Sequence, residues 1–244
     1  MRAARLVGAL IGLIALMLAT TAQAGLGLYL KLESGYAWGR DAGFQEDDPS
    51  SAECFLIVSG TTCGGKLNHV GSSFVIGAGI GYRFSPMFRA DLTYGRRSGF
   101  NLKGRDPAGT DFDPKVSSDS IMLSGFVDIP YKIAGRAQPY VGLAIGRSRN
   151  KMDTLKWSDP GCCTGVLNAG ASNNATAWQL TLGAAITVAP KWTIDVGYRY
   201  SDFGDFRKPR GPDQVGLFGT GFTASAKGKL RTNELLLNLR YDLF

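Results

Sequence analysis

The sequence predicts an all-β protein, an eight-stranded antiparallel up-and-down barrel that spans a membrane. Three observations lead to this fold. Apolar residues recur at every second position in eight segments, which is the period of a β-strand. The connections between the segments are alternately short and long. The charges within the segments share a face with most of the glycines, opposite a face of apolar and aromatic residues.

Each of the eight segments is long enough to cross a bilayer, because a tilted transmembrane strand needs about 9–11 residues. The segments are predicted at 26–39, 72–84, 87–97, 119–129, 138–148, 175–188, 191–203 and 229–244. One residue departs from the pattern. Arg147 falls on the apolar face of the fifth segment, near its outer end, unless a bulge moves it.

The connections distinguish the two ends of the barrel. Those after the second, fourth and sixth segments are short and read SP, PYKIAGRA and AP, whereas the other four are long. An even strand number with short turns on one side and long loops on the other is typical of bacterial outer-membrane barrels. We therefore expect three periplasmic turns, four long extracellular loops, and both termini on the periplasmic side.

A soluble sandwich or a lipocalin-like barrel would also alternate. Such a fold places its apolar residues inside, whereas here the charges lie on the crowded, glycine-rich face. The apolar face carries aromatic residues towards its ends, as membrane barrels do at the two interfaces. These residues are Tyr36, Trp38, Tyr94, Trp178, Trp192, Tyr198, Tyr200 and Tyr241.

The first residues have the features of a secretory signal peptide. Arg2 and Arg5 precede an apolar run, and Ala22-Gln23-Ala24 forms a small-x-small cleavage site. The alternative, an N-terminal membrane anchor, has a short apolar run for a span of about 20 residues. We expect cleavage after Ala24, so that 1–24 is the signal peptide and 25–244 is the barrel.

The chain ends in TNELLLNLRYDLF, with apolar residues at alternate positions. This last segment is expected to pair with the first and so to remove the open edges that lipid does not tolerate. The terminal aromatic residue resembles the signal by which outer-membrane proteins are recognised for insertion. Tyr241 and Phe244 carry that signal here, and Asp242 stands where the usual pattern has an aromatic residue.

Four stretches, YLKLESGYAWG, PYVGLAIGRS, WTIDVGYRYSDFG and LRYDLF, resemble the small OmpA-like and opacity-protein-like eight-stranded barrels of Gram-negative bacteria. The resemblance covers the whole mature chain. It implies residence in the outer membrane, contact with its lipids, and handling by the barrel-assembly machinery during insertion. It further implies a barrel without the periplasmic peptidoglycan-binding domain of longer OmpA-type proteins.

An eight-stranded barrel has an interior that side chains can just fill. The inward charges are predicted to be Lys31, Glu33, Arg89, Asp91, Asp128, Asp195, Arg199, Glu234 and Arg240, with Arg83 and Asp242. Since an unpaired buried charge costs several kcal/mol, these should pair. We expect a central cluster of Glu33, Arg199, Glu234 and Arg240, and a contact between Arg89 and Asp128. A packed polar plug is favoured over a gated ion path.

No feature of the chain indicates catalysis. Its single histidine, His69, lies in a predicted loop near Ser72 and Ser73, and no cofactor or metal motif is present. The net charge of +7 is spread along the chain, so nucleic acid is not an expected partner. We expect a structural surface protein whose loops meet a host or envelope ligand. The alternative is a small porin or transporter for small or apolar solutes.

All four cysteines fall in predicted loops, and an exported protein meets oxidising conditions. Cys54 and Cys63 bracket a segment that can form a hairpin, so we predict a disulfide between them. Cys162 and Cys163 are adjacent, and a bond between neighbours strains the intervening peptide. Alternatively, each pairs with one cysteine of the first loop. Metal binding is a third interpretation, without the usual ligand spacing.

Overall fold

The computed structural model describes residues 27–40, 45–46, 57–58, 62–63, 69–105, 111–112, 115–153, 155–158, 164–167, 171–208, 211–212, 222–223 and 226–243. The predicted signal peptide, Cys54, Cys162, Cys163 and Phe244 lie outside these ranges. In the part of the chain that is described, no helix is long and apolar enough to cross a membrane.

Eight long strands form the barrel, which confirms the predicted fold. They are β1 (Gly27–Gly39), β2 (Ser72–Arg83), β3 (Phe88–Arg105), β4 (Lys115–Asp128), β5 (Ala137–Met152), β6 (Ala171–Ala189), β7 (Trp192–Lys208) and β8 (Ala226–Asp242). Each strand pairs antiparallel with the next. β8 pairs with β1 and closes the barrel, with Leu32 opposite Leu239.

Most strands run further at their extracellular ends than the sequence pattern predicts. β3 and β7 were expected to end at Arg97 and Phe203 but continue to Arg105 and Lys208. Each contains a register shift, between Arg97 and Phe100 in β3 and between Asp202 and Asp205 in β7. A bulge of this kind changes which positions face inward, so it ends the simple alternation without ending the strand.

The described parts of the extracellular loops contain nine short strands. They are Gln45–Glu46, Ile57–Val58, Thr62–Cys63, His69–Val70, Asp111–Phe112, Leu155–Ser158, Thr164–Leu167, Gly211–Pro212 and Phe222–Thr223. Among the described residues, Leu155–Ser158 pairs both with Thr164–Leu167 and with Asp111–Phe112, which in turn pairs with the end of β3. The second and third extracellular loops therefore share a small sheet, here called the loop sheet.

The lipid-facing surface has the predicted polarity. Leu235 and Leu237 are 54% and 53% exposed, and Leu236 between them is buried and points inward. Aromatic side chains meet at both ends of this apolar band, as in the pairs Tyr36–Trp38, Trp38–Tyr198 and Trp178–Tyr200 at the extracellular end and Tyr82–Phe84 and Trp192–Tyr241 at the periplasmic end. These contacts form the two girdles of a transmembrane barrel.

Beyond the extracellular girdle the polarity reverses. Arg147 is exposed on the outer face of β5 in an unbroken register, so no bulge moves it, and Arg149 follows on the same face. Many inward side chains at this end belong to a buried apolar cluster, here called the apolar core, which also extends to Met122 and Leu236 in the membrane zone. Its members are Ala37, Val70, Val75, Phe100, Val116, Met122, Met152, Ala177, Phe203, Phe206, Leu230 and Leu236. The barrel thus projects beyond the membrane as a water-exposed barrel with an apolar interior.

Candidate functional site: the barrel lumen

The structure places all the predicted lumen charges inside the barrel. Each is at most 5% exposed; they are Lys31, Glu33, Arg89, Asp91, Asp128, Asp195, Arg199, Glu234 and Arg240. They come from β1, β3, β4, β7 and β8, at positions that alternate with the lipid-facing residues. The remaining predicted inward pair, Arg83 and Asp242, is partly exposed at the periplasmic mouth with 3.8 Å between its charged atoms.

A continuous chain of ion pairs crosses the centre of the lumen. The guanidinium of Arg199 donates to both carboxylate oxygens of Glu33, at 2.8 and 2.6 Å. The same guanidinium lies 3.5 Å from Glu234, and Arg97 donates two hydrogen bonds to that carboxylate, at 2.6 and 3.1 Å. Bidentate arginine–carboxylate pairs are among the strongest hydrogen-bonded contacts in proteins. Strands β1, β3, β7 and β8 are thereby tied together across the barrel axis.

A lysine connects this centre to the next layer. The ammonium of Lys31 lies 3.2 Å from Asp91 and 3.6 Å from Glu33. The Tyr29 hydroxyl and the Thr93 hydroxyl also donate to Asp91, at 3.3 and 3.2 Å. The carboxylate of Asp91 therefore accepts from three groups in the absence of bulk water, which offsets part of its desolvation.

The predicted place of Arg240 in the central cluster is wrong. Its guanidinium pairs with Asp195 at 2.8 Å and lies over the Tyr29 ring, 5.5 Å from the centroid. Arg240 follows Glu234 by six residues on β8, so the two are about 20 Å apart at 3.3 Å per residue. Strand adjacency predicts which strands meet, but the register decides which side chains lie at the same height.

Sequence reasoning missed Arg97, which is the second guanidinium of the central chain. It is 1% exposed, donates to Glu234 and Ser120, and lies 4.3 Å from the centroid of the Phe203 ring. Arg97 has the same parity as Arg89, Asp91 and Thr93, so extending the alternation to the end of the segment would have placed it inward.

The expected contact between Arg89 and Asp128 is present near the periplasmic end. The Nε atom of Arg89 lies 3.1 Å from each carboxylate oxygen. The guanidinium also stacks on Phe126 and Tyr140, at 4.0 and 4.8 Å from the ring centroids. Glycine on the neighbouring strand makes room for the Tyr140 ring, because a Cβ at Gly183, its cross-strand partner, would lie 2.5 Å from that ring.

The lumen leaves almost no space at the level of the central ion pairs. The void there measures about 10 Å³ and is lined by Glu33, Arg97, Arg199 and their neighbours. A water molecule needs at least about 10–15 Å³ of such volume. Above this level the apolar core fills the barrel. Among the described residues, the middle of the lumen is therefore closed to solutes.

The periplasmic mouth, in contrast, is open. A cavity of about 370 Å³ lies below the central ion pairs, here called the periplasmic cavity. Its lining includes Arg83, Asp128, Lys132, Arg136, Thr193 and Arg240. Four of these six side chains are cationic and one is acidic, so the cavity has a basic lining.

The comparison with known proteins agrees with this architecture. The family model described as "Outer membrane protein beta-barrel domain" matches residues 7–242. The chain belongs to this family. Its strands, girdles and charged lumen are those of an outer-membrane barrel, and the predicted outer-membrane location is confirmed.

Several relatives are similar in sequence. An uncharacterized protein of Brucella abortus (strain 2308) is 31% identical over 201 residues, which cover 72% of this chain and 64% of that protein. The chain therefore spans less than two thirds of that relative's length. A "Putative adhesin" of Rickettsia conorii is 27% identical over 192 residues, covering 73% of each chain.

Solved structures support the fold. The outer membrane protein OprG from Pseudomonas aeruginosa matches with a TM-score of 0.53 and 12% identity, over 88% of this chain and 96% of that one. A major outer membrane protein from Thermus thermophilus matches with a TM-score of 0.50 and 12% identity, over 88% and 98%. At such identities the likeness concerns the fold alone.

Of the two serines near the lone histidine in this outer-membrane barrel, one faces inward and one faces outward. Ser73 is buried and donates to the carbonyl of Ser98 at 2.7 Å, whereas Ser72 is exposed on the opposite face and accepts from Tyr36. His69 lies in a short strand paired with β3. In the described ranges, no group of three His, Cys, Asp or Glu side chains could hold a metal ion.

Two predicted features lie partly outside the described residues. The backbone of Cys63 pairs with Ile57 in a short hairpin, but Cys54, Cys162 and Cys163 are not described, so the disulfide stays a prediction. Of the insertion signal, Tyr241 packs against Trp192 with 4.7 Å between ring centroids, and Phe244 lies outside the described residues.

Proposed function

We propose that this protein is a closed outer-membrane scaffold that contributes to envelope structure and presents its extracellular loops for interaction at the cell surface. The observation that carries the first half is the filled lumen. Each central guanidinium is matched by a carboxylate at 2.6–3.5 Å, and the remaining void is about 10 Å³. A polar plug of this kind ties the wall together rather than conducting.

The energetics of the lumen favour a static network over a gate. Removing one partner of a buried ion pair costs about 3–5 kcal/mol, because the other charge is left uncompensated. Opening a path along the axis would require Glu33, Glu234, Arg97 and Arg199 to separate together. It would also require the apolar core above them to part, which exposes apolar surface to water.

The extracellular end supports the second half of the proposal. The strands project beyond the girdle, carry charged outer faces, and are filled by the apolar core. The loop sheet joins the second and third loops through backbone hydrogen bonds. Binding residues are often found on loops held by a rigid scaffold. The Rickettsia conorii relative bears an adhesin's name, which favours a ligand outside the cell.

Planar-bilayer recording tests the closed lumen. The purified protein, reconstituted beside a known porin as a positive control, should show no large and stable conductance steps. Liposomes that contain it should not swell in small sugars or amino acids. Stable conductance, or swelling at the rate of the porin control, would favour the alternative function of a small porin. Migration on SDS gels with and without boiling verifies that the reconstituted protein is folded.

A loop replacement tests the surface role. Replacing Thr164–Leu167 by Gly-Ser-Gly-Ser removes a strand of the loop sheet but leaves the barrel ladder intact. Cells displaying the variant should lose adhesion to host cells or isolated envelopes and keep heat-dependent gel migration. The matched control replaces Lys132–Gly135 in the periplasmic turn. Unchanged adhesion of the loop variant would contradict a role for the loop sheet.

A further inference from the structure

The periplasmic cavity has the size and shape of a ligand site rather than of a packing defect. Its volume of about 370 Å³ falls in the range of small-molecule pockets, about 300–1,000 Å³. It opens towards the periplasm and is closed above by the Arg89–Asp128 pair and the central ion pairs. A solute could therefore enter from the periplasm and stop there.

The charge at the cavity is cationic. Its one lining carboxylate, Asp128, already accepts from Arg89 at 3.1 Å through both oxygens. The nearby Asp195 and Asp242 carboxylates face Arg240 and Arg83, at 2.8 and 3.8 Å. Lys132 and Arg136 also line the cavity, and neither forms an ion pair with a described carboxylate. The acids near the cavity are thus matched, and two cations are left over.

A buried donor provides a second, independent observation. Arg240 is 2% exposed and lines the cavity, and its Nη1 atom has no hydrogen-bond acceptor among the described residues. A buried guanidinium N–H without an acceptor is unfavourable. Thr187, Thr193 and Gln138 add neutral groups to the same wall. The cavity therefore combines spare positive charge with spare hydrogen-bond donors.

We propose that the periplasmic cavity binds a phosphate group presented from the periplasm. Arginine guanidinium groups match the oxygens of phosphate through paired hydrogen bonds, and charge-assisted bonds of this type are the strong ones. The cavity is larger than one phosphate, so it has room for the group that carries it. Two sources share this chemistry: a free phosphate compound, and the headgroup of a phospholipid in the periplasmic leaflet.

This binding does not imply transport. The central ion pairs, which leave a void of only about 10 Å³, separate the cavity from the extracellular side. A phosphate group held by Arg136, Lys132 and Arg240 would instead bridge the periplasmic turn after β4 to the end of β8. It would neutralise the spare charge at that end and tie the turn to the barrel wall.

Titration calorimetry with inorganic phosphate and pyrophosphate tests the site, using the full chain in a non-ionic detergent without phosphate. We expect saturable binding of one ligand per barrel. The double substitution Lys132→Ala and Arg136→Ala lies in an exposed turn and should leave folding intact. It should weaken the binding by about tenfold or more, since two charge-assisted contacts are lost.

The matched control is Arg147→Ala with Arg149→Ala, which removes the same charge from the outer face at the extracellular end. It should leave the affinity unchanged. Arg240→Lys keeps the positive charge but loses the paired N–H donors of the guanidinium. It should weaken phosphate binding while preserving heat-dependent gel migration. Failure to bind either ligand saturably, or equal weakening in the control, would overturn the proposal.

Two lipid conditions separate the sources. Binding of phosphate that persists in phosphatidylcholine nanodiscs indicates a free phosphate compound as ligand. Binding that is seen in detergent but blocked in nanodiscs indicates that lipid headgroups occupy the cavity. The double variant Lys132→Ala with Arg136→Ala should bind neither ligand in the nanodiscs. In that case a ³¹P resonance of the lipid should shift with the protein and not with the double variant.

Discussion

The membrane zone of β8 and its extracellular extension belong to one continuous strand, but their inward and outward side chains have opposite polarity. In the membrane zone Leu235 and Leu237 face outward, and Glu234 and Asn238 face inward. In the extension Lys229 faces outward and Leu230 is fully buried inside. The alternation itself does not change along the strand. The medium around the strand changes from lipid to water, and the polarity of the outward and inward side chains changes with it.

β5 makes the same change at the same height. Val141, Leu143 and Ile145 face the lipid, and Arg147 and Arg149 continue the outer face beyond it. Ile145 pairs with Trp178, a residue of the extracellular girdle, so the reversal begins one pair above the aromatic ring. The lumen follows with an apolar core above and a charged network below. Both the outward and the inward side chains of the barrel wall therefore indicate where the membrane surface lies.

The largest expected effect comes from breaking the charged part of the lumen. Glu234→Ala leaves Arg97 buried without its carboxylate, which should lower the free energy of unfolding by about 3–5 kcal/mol. Denaturant unfolding from lipid vesicles measures this change through the transition midpoint.

The control for that experiment is Asp205→Ala in the water-exposed extension. Its carboxylate lies 3.7 Å from Arg207, and both side chains are exposed. Removing such a pair should cost about 0–1 kcal/mol. If both variants unfold at the same denaturant concentration, the lumen pairs do not stabilise the barrel in the way described here.

The second effect concerns the apolar core of the extension. Leu230→Ala removes a fully buried side chain and should cost about 2–5 kcal/mol, including the cavity it leaves. Lys229→Ala, the next residue along but facing water, should change stability by no more than about 0.5 kcal/mol. Protease digestion of intact cells adds a local readout, because only the Leu230 variant should become sensitive above the membrane. Equal sensitivity would show that the extension is not filled as a soluble core.

The third effect places one charge in each zone. Leu237→Arg puts a guanidinium into the lipid and should cost about 2–4 kcal/mol. Ser172→Arg adds the same charge to the outer face of the extension, where its neighbours are polar. Only the first variant should reduce assembly, measured as the fraction of unboiled protein that migrates as the folded form. Comparable assembly of both would mean that the lipid-facing phase of β8 is wrong.

The barrel itself could be predicted because its signal is local. Within the membrane zone every second residue obeys one rule, and the alternating connection lengths order the strands. In β3 and β7, a bulge lies where the predicted strand ended early. Phe100 and Arg97 have opposite parity and both face inward, because Gly99 with a φ of 88° shifts the phase between them. A pattern of fixed period has no means of following such a shift.

The composition of the lumen was predictable, but its pairing was not. Parity alone identifies Lys31, Glu33 and Arg199 as inward residues. Which charges meet depends on the stagger between strands, and Arg240 therefore pairs with Asp195 rather than with Glu234. The Arg89–Asp128 contact was simpler, because both residues lie at the periplasmic ends of the neighbouring strands β3 and β4. The periplasmic cavity depends on side chains from several strands and a turn, so it had no signal in the sequence.

The smallest expected effect comes from changing the bulge in β7 that turns two phenylalanine side chains into the apolar core of the extension. Phe203 and Phe206 are both buried in the apolar core, although they are an odd number of positions apart, because β7 bulges at Gly204 with a φ of 72°. The carbonyl of Phe203, displaced from the regular ladder, accepts from Ser148 at 2.5 Å and from Asn150 at 2.8 Å. Glycine alone adopts this left-handed conformation without strain.

Gly204→Ala should therefore cost about 1–2 kcal/mol from backbone strain, with a further penalty because the new Cβ would lie 2.6 Å from the Cβ of Ala175. Gly125→Ala is the matched control, since a Cβ there meets nothing within 4 Å. Unfolding midpoints in vesicles should separate the two variants, and protease sensitivity should rise only for Gly204→Ala. If both behave as the parent protein, the bulge tolerates a side chain, and the inward phase of Phe206 is set by packing in the apolar core instead.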